Sequence, residues 1–334
     1  MGEFGRIAAI AAALLALPFG IASAQTPDAP AAAPAATPAP EAAPAPPATP
    51  VAAVPPAVVA ATCATRANFR VVLDVGHTPE SPGAKSARGI DEYVFNLRLA
   101  KVIDQALRDA GFPRTVLMTT DGPGIRSMYV RVARANDLDA NLLLSIHHDS
   151  VPDRFLERWD FNGKKGTYSD RFKGHSIFVS DDNVDIKDSL AFGSLLGQQL
   201  KARGLQFTPH YAESFMGHYQ HTLLDAEAGV YRYDTLFVLK KSHMPAALLE
   251  AGSIANRDEE LVLETPERQQ LTAAAVVAAV DAFCAAGPKK PAATQVAQQR
   301  SKVRQAALSA HSRRHVRTAT TAAATIVQSN LDSH

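Results

Sequence analysis

Several features are scarce in this chain of 334 residues: cysteine occurs only twice, neither charge sign dominates, and no segment repeats another. A net charge of +1 excludes a partner held by bulk electrostatics, so neither nucleic acid nor an acidic partner is implied. The apolar run from Ile7 to Ile21 is shorter than the roughly 20 residues of a bilayer-spanning helix, which argues against a permanent membrane span. Flanked by Arg6 and by Ala22-Ser23-Ala24, it has instead the layout of a secretory signal peptide over residues 1–24, cleaved after Ala24. The mature chain is then expected to be periplasmic or secreted.

Residues 25–61 are almost only Ala, Pro, Thr and Val, with Asp28 and Glu41 the sole charges. Such a segment cannot build a core, and its prolines keep it extended as a linker. Residues 288–334 are polar and basic and read as a disordered tail, the other reading being an arm for an anionic surface. One globular domain is left, residues 62–287, and the two cysteines, Cys63 and Cys284, stand at its ends. In an exported chain that placement points to a disulfide stapling the domain termini, against two separate buried thiols.

Within the domain, short apolar runs rich in β-branched residues alternate with amphipathic stretches. Strands are expected at Phe69–Asp74, Thr115–Thr119, Asn141–Ile146, Ser176–Ser180, Leu236–Leu239 and Ala246–Glu250. Helices are expected at Glu92–Ala110, Ile125–Leu138, Ile186–Arg203 and Glu267–Ala285, the first and third closed by Gly111 and Gly204. Residues 149–173 read as loop, and residues 204–234, with three histidines and four tyrosines, as a candidate active-site flap. The alternation predicts an α/β fold, a single open twisted sheet of about six strands with helices on both faces.

In such sheets the ligand crevice lies beyond the carboxyl ends of the strands. His77 follows the first strand, His147 ends the third, Glu250 ends the last, and Glu92 opens the first helix. Two imidazoles and a carboxylate brought to one crevice make a three-ligand zinc site with a fourth position for water, and Glu250 would be the base acting on that water. Each residue also has a plainer explanation. Glu92 is favourable in a first helical turn because of the helix dipole. Either histidine serves as a polar strand end, and Glu250 could pair with Arg131 or Arg257. The ligand could also be His148 or Asp149 in place of His147.

Five motifs carry a resemblance. DVGHTPE (Asp74 to Glu80), G-x-x-E (Gly89 to Glu92) followed by Asn96-Leu97, R-x-x-x-A-N (Arg131 to Asn136), SIHHD (Ser145 to Asp149) and LLEAGSIAN (Leu248 to Asn256) together resemble the zinc-dependent N-acetylmuramoyl-L-alanine amidases, the type 3 cell-wall amidases. The likeness covers about residues 69 to 285 and implies a twisted mixed sheet flanked by helices. It also implies one zinc ion on His77, Glu92 and His147, with Glu250 as general base. The implied reaction is hydrolysis of the amide between N-acetylmuramic acid and L-alanine in peptidoglycan, with a protein activator as a possible partner. The rival readings are a zinc peptidase acting on stem peptides and an inactive peptidoglycan-binding domain.

Departures from the family pattern are Val75, Thr78 and Pro79 in the first motif, His148 in the fourth, and Ser253 and Ala255 in the fifth, and they bear on loop shape and substrate subsites rather than on the metal. None removes a ligand. The short connection from Ser180 to Asp188 leaves little room for the inhibitory helix of the cell-division branch, and residues 151–173 are the alternative plug.

Overall fold

The computed structural model describes residues 63–287. The signal, the linker and the basic tail expected from the sequence lie outside the described residues. No helix among the described residues is long and apolar enough to cross a membrane.

The core is a seven-stranded mixed sheet in the order β2-β1-β3-β9-β6-β8-β7. Its centre is β1 (Val71–Val75), β3 (Leu142–Asp149) and β9 (Ala246–Ser253), parallel neighbours whose near-continuous apolar sequences suit burial on both faces. β2 (Val116–Met118) extends this parallel half at one edge. On the other side β6 (Ser176–Val179) runs antiparallel to β9, and β8 (Val230–Arg232) and β7 (Thr222–Asp225) complete the sheet.

Strand alternation sends Leu73, Leu144 and Leu249 to one face, where α1 (Glu92–Asp109), α3 (Ile186–Ala202) and α6 (Pro266–Ala285) cover them with Leu99, Ile103, Phe192, Val276 and Phe283. Val72, Leu143 and Leu248 point to the opposite face, against Val132 and Ala135 of α2 (Gly124–Asp137) and Val238 and Leu239 of α4 (Phe237–Lys241).

Three expectations are corrected. Leu236–Leu239 is not a strand: the run folds as α4, because a short apolar run has no period that separates a strand from a buried helical turn. Both neighbours of β9 are in any case taken, by β3 and β6. Residues 149–173 are not all loop, since β4 (Glu157–Phe161) and β5 (Lys164–Tyr168) form a separate hairpin. Its turn is Asn162-Gly163, both at positive φ (53° and 73°), the dipeptide that two-residue hairpin turns favour. Residues 204–234 supply two short 3₁₀ segments and then β7 and β8, which makes the sheet seven strands rather than six. A fifth helix, α5 (Arg257–Leu263), had its signal in Asn256, whose side chain accepts from the Asp258 and Glu259 amides.

Cys63 and Cys284 pair as a disulfide across a sequence separation of 221, with Cα atoms 5.3 Å apart. The pair lies beside the bidentate contact of Arg66 with Asp281 at 2.6 and 2.7 Å. A loop of that length removes much denatured-state entropy, so reduction is expected to destabilise the domain by up to about 5 kcal/mol. Urea melts with and without reductant measure this, and coincident melts would show that the staple contributes nothing.

Candidate active site

β1 ends at Val75, and Gly76 then allows the chain to pass the His147 ring, which a Cβ at that position would overlap. His77 follows at φ 68°, a left-handed conformation uncommon outside glycine and one that marks a side chain held for a purpose. The turn is pinned from behind. The Arg131 guanidinium donates to the His77 carbonyl, donates to Thr120 Oγ1 at 3.1 Å and stands 3.6 Å from Asp74.

Glu92 is the first residue of α1 and is almost fully buried, which the helix dipole alone would not require. Its Oε2 lies 2.9 Å from His77 Nε2 and accepts from the Ala84 amide at 3.1 Å. Its Oε1 lies 2.9 Å from His147 Nδ1 and accepts from Asn96 Nδ2 at 3.1 Å. Burial would raise the Glu92 pKa, but the contacts with His147 and His77 together outweigh it and hold the carboxyl well below the usual range. One donor atom from each of His77, Glu92 and His147 lies within 4.8 Å of the other two. Two imidazoles and an ionised carboxylate converging in this way form a donor set that fits a zinc-like divalent cation. Gly83, at φ 82°, keeps the loop from His77 to Glu92 against both of these side chains, where a Cβ would overlap the Glu92 carboxylate and the His77 ring.

Of the three neighbouring candidates, His147 is the one whose ring converges with His77 on Glu92. His148 points to the opposite face, where its Nδ1 meets Asn96 Oδ1 at 2.8 Å, and burial pushes its pKa down to about 3. Asp149 accepts from the Tyr211 hydroxyl at 2.7 and 2.9 Å, and burial pushes its pKa up to about 7. Tyr211 had been only one of four tyrosines in an unassigned stretch. Nothing local in the sequence points it at Asp149.

Glu250 sits in register with His147 on the adjacent parallel strand, so both side chains leave the same face of the sheet. The arginine partners considered for it are engaged elsewhere, Arg131 as described and Arg257 with Asp170 at 2.9 Å. Its Oε2 is shielded from solvent and has no hydrogen-bond partner among the described residues. Burial, and then the charges of Asp149 and Glu92, push its pKa well above the ordinary glutamate value. Beside His77 and His147 opens an apolar cleft of about 380 Å³, lined by Met128, Phe237, Val238 and Leu248.

The hairpin is held on the loop before α1 and on the start of α5. Trp159 Nε1 donates to the Ala87 carbonyl at 2.8 Å, and the hairpin rings pack under the guanidinium groups of Arg88 and Arg257.

His175 is buried just before β6, and burial, the largest effect on it, lowers its pKa to about 4. An unfolded histidine titrates near 6.5, so the unfolded chain binds the extra proton first. Stability is therefore complete above about pH 6.5 and falls as pH drops toward 4, by about 3 kcal/mol for this group. Denaturant melts of the wild type and His175→Phe across that window measure it, and parallel curves would remove His175 as the cause.

The sequence profile of the family described as N-acetylmuramoyl-L-alanine amidase matches residues 71–282. N-acetylmuramoyl-L-alanine amidase AmiC of Escherichia coli O6:H1 is 26% identical over 243 residues, covering 65% of this chain and 53% of that protein. N-acetylmuramoyl-L-alanine amidase AmiA of Escherichia coli K12 is 26% identical over 239 residues, covering 64% of this chain and 75% of that protein. The chain thus spans about half the length of the first relative and three quarters of the second. Among solved structures, the N-acetylmuramyl-L-alanine amidase Ami1 from Mycobacterium smegmatis aligns over 66% of this chain and 98% of its own, with a TM-score of 0.50 and 20% identity, a likeness of fold.

Proposed function

The chain belongs to the N-acetylmuramoyl-L-alanine amidase family, and from that premise we propose that it hydrolyses the amide between the lactyl group of N-acetylmuramic acid and L-alanine in peptidoglycan, with one zinc ion held by His77, Glu92 and His147. The observation that carries the reading is the shielded, unpartnered Oε2 of Glu250 on the same sheet face as His147, beside a converged His-Glu-His donor set. An unpaired buried carboxylate costs free energy, and a fold that retains one has it poised for proton transfer.

When bound, zinc supplies a Lewis acid for the scissile carbonyl and brings water into reach of deprotonation near neutral pH. The residues of the chain do the rest. Glu250 Oε2 takes the proton of the attacking water and later delivers it to the leaving amine nitrogen, a cycle that its raised pKa favours. Asn96 and the Ala84 amide hold the two oxygens of Glu92, so the carboxylate keeps its position between the imidazoles. Arg131 fixes the His77 turn, and Tyr211 ties Asp149 in place next to Glu250. The apolar cleft beside the histidines receives the substrate and keeps bulk water out.

Export through residues 1–24 would place residues 62–287 in the periplasm or outside the cell, where peptidoglycan is, with residues 25–61 as tether and 288–334 as tail. Digestion of purified sacculi by the zinc-loaded protein, read by mass spectrometry alongside metal content, tests the proposal. Intact stem peptides beginning at L-alanine, with about one zinc per chain, are expected. Shortened peptides would point to a peptidase, and tight binding without product to a binding domain.

A further inference from the structure

Beyond Tyr211 lies a cavity of about 660 Å³ that the proposed chemistry does not use. It opens at the same end of the sheet as Glu250. Phe207 on its wall bridges to His175, the neighbour of Ser176, and Ser176 is in register with Glu250. His210, also on the wall, stacks on Tyr211 with ring centroids 4.1 Å apart, and Tyr211 is the residue bonded to Asp149. His210, Tyr211 and Asp149 thus stand in sequence between this cavity and the proposed base.

The charges in the lining are unevenly spent. Arg171 and Lys173, from the segment joining β5 to β6, are both exposed and form no direct salt bridge among the described residues, although Lys173 stands close enough to Glu259 to act on its charge. The Arg171 guanidinium lies over the rings of Phe215 and Phe172, 4.3 and 5.0 Å from their centroids, which orients it without neutralising it. Of the two acids in the lining, Glu259 is committed as an acceptor. It takes the Gly174 amide at 2.9 and 3.0 Å and the Ser253 amide at 3.0 Å. Those amides do not neutralise Glu259, which attracts Arg268 and Lys173, and Glu213 is exposed, so Arg171, Lys173 and the buried Arg268 face two carboxylates and leave the lining net positive. The walls are also preformed. Gly174 has φ +102°, and a Cβ there would stand 2.7 Å from the Gln206 carbonyl oxygen, so the two segments meet only because this residue is glycine.

Taking hydrolysis of the muramoyl amide as the premise, we infer that this cavity is a subsite for the peptide side of the substrate, in which Arg171 and Lys173 bind a free carboxylate carried by the stem peptide beyond its L-alanine. Fixed cations beside aromatic walls suit a carboxylate on an aliphatic peptide better than they suit the neutral sugars of the glycan.

The test is steady-state kinetics of the zinc-loaded full chain on a soluble muramoyl peptide with free carboxylates and on the same peptide with them amidated. Arg171→Gln and Lys173→Gln are each expected to raise KM for the acidic peptide about tenfold, with kcat within about twofold and KM for the amidated peptide unchanged. Arg171→Lys is expected to recover most of the affinity. An unchanged KM for the acidic peptide in both variants, or an equal rise on both substrates, overturns the subsite. If the wild type cleaves neither substrate, the amidase premise fails, and calorimetric titration with the free acidic peptide then decides the cavity alone. Binding that both glutamine variants lose supports it, whereas unchanged binding, or binding only of a polyol phosphate polymer, overturns it.

Discussion

Glu250→Gln is expected to lower kcat by about a thousandfold or more while leaving the bound zinc in place. Glutamine keeps the shape and the polar oxygen but cannot accept and return a proton, and general acid-base groups contribute about 10² to 10⁴ in rate. Glu250 Oε2 has no other engagement among the described residues, so loss of an ion pair cannot be the cause of the effect. The metal-free protein offers a second readout with a definite sign. Because the folded pKa of Glu250 lies above its unfolded value near 4.5, the wild type loses stability as pH rises above about 4.5, where the unfolded chain releases the proton more readily. The glutamine variant lacks that loss and is expected to melt at a higher temperature near neutral pH. Retained turnover in sacculus digests would remove Glu250 from the mechanism.

Glu92→Ala is expected to weaken zinc binding by at least about a hundredfold and to abolish activity with it. The helix-dipole explanation of Glu92 predicts something else, a stability loss of about 0.3 to 1 kcal/mol with metal binding intact. The contacts favour the larger effect, since both carboxylate oxygens face imidazoles at 2.9 Å and each is further held by a hydrogen bond from the chain. Substituting alanine removes one of three converged donors, leaves the Ala84 amide without its acceptor and leaves Asn96 Nδ2 only the Gly76 carbonyl at 3.3 Å. Equilibrium dialysis against zinc, set beside a urea melt of the metal-free variant, separates the two explanations. Unaltered zinc affinity with a small loss of stability would return Glu92 to the role of a helix-terminal charge.

Much of this was legible before any coordinates. β1, β3 and β9 announce themselves because strands buried on both faces are apolar throughout, and α1 and α2 because one apolar stripe repeats along each. The hairpin at 157–168 carried its signal in Asn162-Gly163 but lacks the apolar alternation that draws attention to a strand, since its rings pack on arginines rather than in a core. α4 had no local signal that outweighed its β-like composition. In the fold its Val238 and Leu239 pack against α2 and β9 on one face of the sheet.

The linear chain by itself placed His77, Glu92, Glu250 and one residue among His147 to Asp149 at strand ends and a helix start, because an open α/β sheet delivers such positions to one crevice whatever the loop detail. It could not determine which of His147, His148 and Asp149 faces that crevice, or that Glu250 would have no arginine. Those outcomes depend on the register of β3 against β9 and on the commitments of Arg131 and Arg257, interactions between residues far apart in the chain. Tyr211 against Asp149, and the cavity holding Arg171 and Lys173, likewise exist only through tertiary contact, since each depends on segments about 60 or about 35 residues apart being packed side by side.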